Sequence, residues 1–229
     1  MNYLKEDENI EELILSLIKE FKSKAKEKDI YNNVLDPFSS IIEASINKLD
    51  YENWINAETA RQHQKTLQNS IGDLHQKLLG NIKNVEDLGV GGIIDIVCHE
   101  KKIIAEIKNK HNTTKGNHKV SIYDDIATLL SKPEYKDYTG YYVEIIPKKP
   151  VQFNTLFTPP DNTDKTNRAE RKDIRKIDGK SFYELLTDDK NAIYYMYNRI
   201  STTLVKNLGL KTNKSFIDLL YKAYGKPNE

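Results

Sequence analysis

The sequence predicts an α/β protein, a mixed β-sheet core flanked by helices, with extra helices at the N- and C-terminal ends. Three observations predict it. Two apolar, β-branched runs, Ile93–Cys98 and Ile103–Ile107, flank a polar turn at His99–Lys102 and read as a β-hairpin. A helical pattern and a further strand signal, GYYVEII at Gly140–Ile146, follow the hairpin. Amphipathic spacing dominates the chain before the hairpin and again near the C-terminus. The order helix, hairpin, helix, strand belongs to a mixed sheet with helices packed against it.

Taken in order, Ile10–Lys26 places Ile10, Leu13, Ile14, Leu17, Ile18, Phe21 and Ala25 on one helical face. Asp36 and Pro37 mark the next helix start, with aspartate as cap and proline at the first position. Phe38, Ile41, Ile42, Ile46 and Leu49 carry that helix on, and both segments read as structural, for packing or subunit contact. A long third helix runs from about Glu52 to Leu79, with Leu67, Ile71, Leu74 and Leu78 on one stripe. Gln68 and His75 lie at the edge of that stripe, from which a polar side chain could reach a site on the adjacent sheet. More often such residues are satisfied border positions.

Gly80 ends the helix, and Gly89, Gly91 and Gly92 form a turn into the hairpin. HNTTKGNHK (111–119) reads as a loop, and Val120–Ser131 as a helix burying Ile122, Ile126, Leu129 and Leu130. Pro147 stops the GYYVEII strand. Pro147–Gly179, with four prolines and much charge, reads as a long irregular stretch. Helical patterns return at Ser181–Leu186, Ala192–Leu208 and Ser215–Tyr224, the last capped by Asn213 or Ser215. With no internal repeat and no clear linker, residues 1–229 read as one domain. Its parts are a helical region (1–50), a core (51–146), a long basic loop (147–180) and C-terminal helices (181–229).

Bulk properties narrow the class. At 38% hydrophobic and 30% charged residues, a chain of 229 can bury a real core. No run approaches the length of a membrane span, and MNYLKEDENIEEL is too acidic for a secretory signal. The single cysteine, Cys98, excludes an intramolecular disulfide framework and makes a reducing cytoplasm the default setting. Net charge is only +1, but its distribution is uneven. Residues 1–60 hold thirteen acids against seven lysines, whereas Lys101–Lys119 holds six lysines and one acid. Between Pro147 and Lys180, nine Lys or Arg face five acids. Basic residues therefore gather around and after the hairpin, as a phosphate-binding surface requires, although solvated loops would look the same.

The hairpin carries three charges that a half-buried strand pair does not need: Asp95, Glu106 and Lys108. Side chains alternate along a strand, so Glu106 and Lys108 share one face while Ile103, Ala105 and Ile107 share the other. Closing the turn around Glu100 and Lys101 pairs Cys98 with Ile103, Val97 with Ile104, Ile96 with Ala105 and Asp95 with Glu106. Two carboxylates then face each other with Cβ atoms roughly 5 Å apart, which costs stability unless a cation compensates. Hard carboxylate oxygens suit Mg²⁺, and the carbonyl of Ile107 could serve as a third protein ligand. Metal-dependent phosphodiester hydrolysis needs such an acidic pair, an activated water and positive charge at the transition state. Lys108 can orient the water, lower its pKa and neutralise developing charge.

Asp95 with Glu106-Ile107-Lys108 resembles the D…(D/E)xK motif of the PD-(D/E)xK nuclease superfamily; Ile94 stands where the motif has its proline. Longer stretches are similar to type II restriction endonucleases of the group that cuts GGNCC- and GGWCC-type sites. These are RQHQKTLQNSIGDLHQKLLG (61–80), EDLGVGGIIDIVCHEKKIIAEIKNKHNTTKG (86–116), YTGYYVEIIPKKP (138–150) and FTPPDN (157–162). The resemblance implies a Mg²⁺-dependent, homodimeric bacterial DNA endonuclease (Mn²⁺ substituting), which cuts a short palindrome to leave 5′-phosphate ends. It also implies a companion DNA methyltransferase. On this reading Asp95 and Glu106 hold the metal and Lys108 serves the attacking water. Asn109, Lys110, Asn112, Thr113, Thr114 and Lys115, with Lys148 and Lys149, are DNA-contact candidates, followed by Arg168, Arg171 and Arg175. A repair or junction-resolving nuclease on the same core is one alternative, and a non-catalytic DNA-binding module is another. The five histidines show no metal-ligand spacing, and neither a Walker A sequence nor GxSxG is present. Tyr194, Tyr195 and Tyr197 read as core packing.

Overall fold

A computed structural model describes residues 3–5, 7–27, 30–89, 91–161, 166–209, 211 and 214–227. The helices are α1 (Asp7–Glu27), α2 (Pro37–Asn47), α3 (Tyr51–Gly80), α4 (Gly116–Leu130), α5 (Gly179–Thr187), α6 (Ala192–Leu208) and α7 (Lys214–Tyr224). The strands are β1 (Val85–Asp87), β2 (Ile96–Cys98), β3 (Ile103–Lys110), β4 (Thr139–Ile146), β5 (Asn154–Leu156), β6 (Pro160–Asp161), β7 (Thr166–Asn167) and β8 (Ile174–Asp178). No described helix is long and apolar enough to cross a membrane. The Asn213 cap lies outside the described residues, as does the side chain of Ser215.

Two compact units make up the chain, one of Met1–Ile14 with Leu74–Glu229, the other of Leu15–Asp73. The larger unit is built on a six-stranded mixed sheet in the order β1-β2-β3-β4-β8-β5, in agreement with the expected α/β class. β3, β4 and β8 run parallel in its centre, and antiparallel pairs close both edges. β6 and β7 form a small separate ladder. The hairpin has the expected register, with Cys98, Val97 and Ile96 opposite Ile103, Ile104 and Ala105. A four-residue turn closes it, Lys102 taking the left-handed conformation and donating its amide to the His99 carbonyl. β1 adds an edge strand to β2 that three residues were too few to signal.

One face of the sheet packs under α4. Ile104, Tyr142 and Ile174 from three parallel strands meet Ile122, Tyr123, Ile126 and Leu129 of the helix in one apolar cluster. The approach is close at Gly140, where a Cβ would lie 2.1 Å from Ile126 Cγ2, so no other residue fits without displacing the helix. On the opposite face Tyr141 packs against Phe182 of α5. Asp178 ends β8 and caps α5, accepting from Ser181 N at 3.0 Å and Phe153 N at 2.6 Å.

The structure departs from the sequence reading in three places. The stretch read as a loop through Gly179 contains β8, an interior strand paired on both sides. Its apolar contacts, Ile174 and Ile177, are three residues apart rather than two, and charges fill the gap, so no strand period emerges. α4 begins at Gly116, absorbing the end of the expected 111–119 loop; its cap position, Lys115, makes no side-chain cap bond. In the smaller unit, α2 is capped as expected, Asp36 accepting from Phe38 N and Ser39 N, yet it buries none of its residues. Phe38, Ile41, Ile42 and Ile46 are all exposed, so packing within the smaller unit does not explain this apolar face.

Candidate active site

The central parallel strands carry a row of polar side chains at their C-terminal ends. Alternation puts Ile104, Glu106 and Lys108 on the α4 face of β3, the first buried in the core and the next two beyond it. The parallel register sets Glu106 beside Tyr142 and Lys108 beside Glu144 on β4, then Tyr142 beside Lys176 and Glu144 beside Asp178 on β8. Ligand sites of open α/β sheets lie at this end of their parallel strands.

Asp95 enters from the other side of β3. The expected pairing of Asp95 with Glu106 is not a ladder step, because regular pairing stops at Ile96 and Ala105. Asp95 instead donates its amide to the Ala105 carbonyl at 3.0 Å, and its Oδ2 accepts from Ile107 N at 2.6 Å. The side chain thus replaces a backbone carbonyl and is fixed against β3, close enough to Glu106 for the two charges to interact. Burial, then repulsion from Glu106, pushes the Asp95 carboxyl up to about 6. Asp87 on β1 adds a smaller repulsion in the same direction.

Glu106 Oε1 accepts from Lys108 Nζ at 2.5 Å, both side chains being partly buried. The group therefore holds two carboxylates and one ammonium. No cluster of three or more His, Cys, Asp or Glu is present among the described residues, so a metal here would rely on this acidic pair, the chain's carbonyls and water. Two partly buried hard anions, close enough that Glu106 makes Asp95 hold its proton more tightly, are the donor set a Mg²⁺-sized ion fits.

The remaining predicted residues fall into distinct groups. Asn109 and Lys110 end β3; Asn109 Oδ1 is buried without a partner, and Lys110 O accepts from Thr113 Oγ1. Asn112, Thr113, Lys115, Lys148 and Lys149 are exposed. Thr114 is buried, its hydroxyl beside Tyr142. The three arginines are held within the fold. Arg168 pairs with Asp124 and Asp161, Arg171 with Asp173, and Arg175 donates to the side chain and carbonyl of Asn154. Gln68 is an exposed residue of α3 in the smaller unit. His75 lies in the larger unit; its Nδ1 is buried without a partner and burial lowers its pKa to about 4. It makes no hydrogen bond to Asp95, Glu106 or Lys108.

Sequence reasoning missed Glu144, which is only 2% exposed and sits next to Lys108 in the register. Its place in the apolar run GYYVEII hid it, although a lone acid in such a run is itself a signal. Lys176 at 3.0 Å and Lys119 at 3.7 Å both approach its Oε1.

Residues 1–209 match the family model of the Eco47II restriction endonuclease. The chain belongs to the Eco47II restriction endonuclease family. It is 38% identical over 237 aligned positions to the type II restriction enzyme Eco47II of Escherichia coli, covering 98% of this chain and 99% of that protein. With the type II restriction enzyme Sau96I of Staphylococcus aureus it shares 31% identity over 204 positions, 86% of this chain and 77% of that one. The Eco47II-family chain is thus a type II restriction endonuclease, a hydrolase that cleaves DNA at specific sequences, and its family implies dependence on a divalent metal.

Proposed function

We propose that the chain hydrolyses double-stranded DNA with Mg²⁺ at the Asp95, Glu106 and Lys108 group, cutting a GGNCC-like palindrome to leave 5′-phosphate and 3′-hydroxyl ends. The observation that carries this reading is the acidic pair joined through β3, with Lys108 bound to Glu106 on the face toward which the parallel strands open. Asp95 Oδ2 is held by the Ile107 amide; Asp95 Oδ1, Glu106 and the Ile107 carbonyl would hold the ion. When bound, Mg²⁺ supplies positive charge at the scissile phosphate and eases deprotonation of the attacking water.

Lys108 does the rest of the local work. Its ammonium, anchored on Glu106, orients the water in line with the leaving 3′-oxygen and offsets the charge that builds on the phosphoryl oxygens. The water oxygen bonds to phosphorus as the bond to O3′ breaks. One proton passes to solvent and one ends on O3′. Asn112, Thr113, Lys115, Lys148 and Lys149 are exposed positions suited to phosphate or base contacts. A palindromic site calls for two copies of the chain related by a two-fold axis, each cutting one strand. The companion would be a DNA methyltransferase protecting the same site, with both enzymes acting in the bacterial cytoplasm.

The test is digestion of a plasmid of known sequence with Mg²⁺, with the ends mapped on both strands. Discrete fragments with ends at one palindrome, absent with Glu106→Gln, are the expected result. Full cleavage by that variant, or preference for branched over linear duplex, would overturn it.

A further inference from the structure

The buried carboxylate of Glu144 meets two cations at a single oxygen. Lys176 Nζ lies 3.0 Å and Lys119 Nζ 3.7 Å from the same oxygen, Oε1. They come from different elements, Lys176 from β8 and Lys119 from the first turn of α4. Neither is enclosed: the Lys119 side chain is 23% exposed and that of Lys176 31%, against 2% for Glu144. Each ammonium also lies over an aromatic ring, Lys119 Nζ 5.6 Å from the centre of Tyr142 and Lys176 Nζ 5.4 Å from that of Phe153.

Fold stability alone does not call for this arrangement. A lysine near the N-terminus of a helix works against its own helix dipole. Two ammonium groups gathered on one oxygen repel each other, and Asp178, in register beside Glu144, has its oxygens taken by Ser181 N and Phe153 N, so both lysines keep unused N–H donors at the sheet surface. Each ammonium has three N–H donors, and a single carboxylate oxygen cannot use them all. A divalent cation has no place beside two lysines. An anion with several oxygens has, and Glu144, which both ammonium groups approach, sits one strand from Lys108 and in register with it.

We propose that Lys119 and Lys176 bind a backbone phosphate of the DNA next to the one being cut, with Glu144 as the positioning residue that holds both ammonium groups. The proposal rests on the assignment of hydrolysis to Asp95, Glu106 and Lys108, which fixes where the scissile phosphate lies. Because the contact is to backbone, it adds affinity without reading sequence.

The experiment measures binding of a fluorescent duplex by anisotropy in EDTA, where no strand is cut, across a salt series. Wild type, Lys119→Gln, Lys176→Gln, the double variant, Lys119→Arg, Lys176→Arg and Glu144→Gln are compared, each with its melting temperature. Each Lys→Gln change should reduce the slope of log affinity against log salt by about 1, equally on duplexes with and without the mapped site. The arginine variants should keep the slope. In cleavage assays the glutamine variants should raise KM more than they lower kcat, and Glu144→Gln should do the same with both lysines still present. An unchanged slope in the double variant would overturn the proposal, as would a loss confined to the specific duplex. If the wild type cuts no DNA while the slopes still fall, the assignment of hydrolysis fails and the phosphate contact stands.

Discussion

Two groups of acids and lysines share one face of the sheet, on neighbouring strands, and their pairings are opposite: in one, two acids meet one lysine, and in the other, two lysines meet one carboxylate oxygen. Around β3, Asp95 and Glu106 face a single lysine, and Asp95 responds by holding a proton up to about pH 6. Around β4, Glu144 faces two lysines. Both groups are partly removed from water, so neither imbalance is well screened. On the proposed reading, neighbouring sites on one surface divide their ligands: the acid-rich group would take a cation, the lysine-rich group an anion. A phosphodiester with its metal presents both, side by side.

Loss of the acid-rich group should have the largest effect. Glu106→Gln and Lys108→Ala should each lower kcat by roughly 10²- to 10³-fold or more while leaving circular dichroism unchanged, since each removes charge stabilisation of the transition state. Chelation should have a similar effect on wild type, with activity restored by Mg²⁺. Divalent ions should also raise the melting temperature of wild type but not of Asp95→Asn.

The pH dependence of the metal-free protein sharpens the same contrast. The folded-state pKa of Asp95, about 6, lies above its ordinary value of 3.8, so the folded chain binds the proton more tightly than the unfolded one. Stability therefore falls as pH rises from about 4 to 6, and above that the ionised carboxylate costs on the order of 1–3 kcal/mol. Asp95→Asn should accordingly stabilise the metal-free protein at pH 7.5 by up to that amount, with the gain fading below pH 6. Thermal melts at pH 7.5 and 4.5 check this; a stabilisation larger at the lower pH would contradict it.

A smaller effect is expected where α4 meets the sheet. Gly140→Ala drives a methyl into Ile126 and should cost about 1–3 kcal/mol in chemical denaturation. Because α4 also carries Lys119, the same change should weaken DNA binding while leaving the metal-induced rise in melting temperature in place. The smallest effect belongs to the exposed face of α2, where Ile41→Ser should shift stability by less than about 0.5 kcal/mol.

Local patterns made much of this protein legible in its sequence. The hairpin register from Cys98 and Ile103 to Ile96 and Ala105 followed from turn length and apolar alternation, which are nearest-neighbour properties. The helices of the C-terminal region and the Asp36 cap were equally local. The charged trio was visible because Asp95, Glu106 and Lys108 interrupt strongly apolar strands.

Tertiary structure decided what depends on residues distant in the chain. It replaced the Asp95–Glu106 ladder pair by a side-chain bond to the Ile107 amide, a choice set by where pairing with β2 ends. It turned IRKID from loop into an interior strand, because β4 and β5 supply hydrogen bonds on both sides that no local pattern announces. It also brought Lys119, Glu144 and Lys176 together from three segments. Sequence by itself showed one acid in a strand and two lysines in separate basic stretches. Charges acquire a joint meaning only at a few ångströms, and only the folded sheet sets those distances.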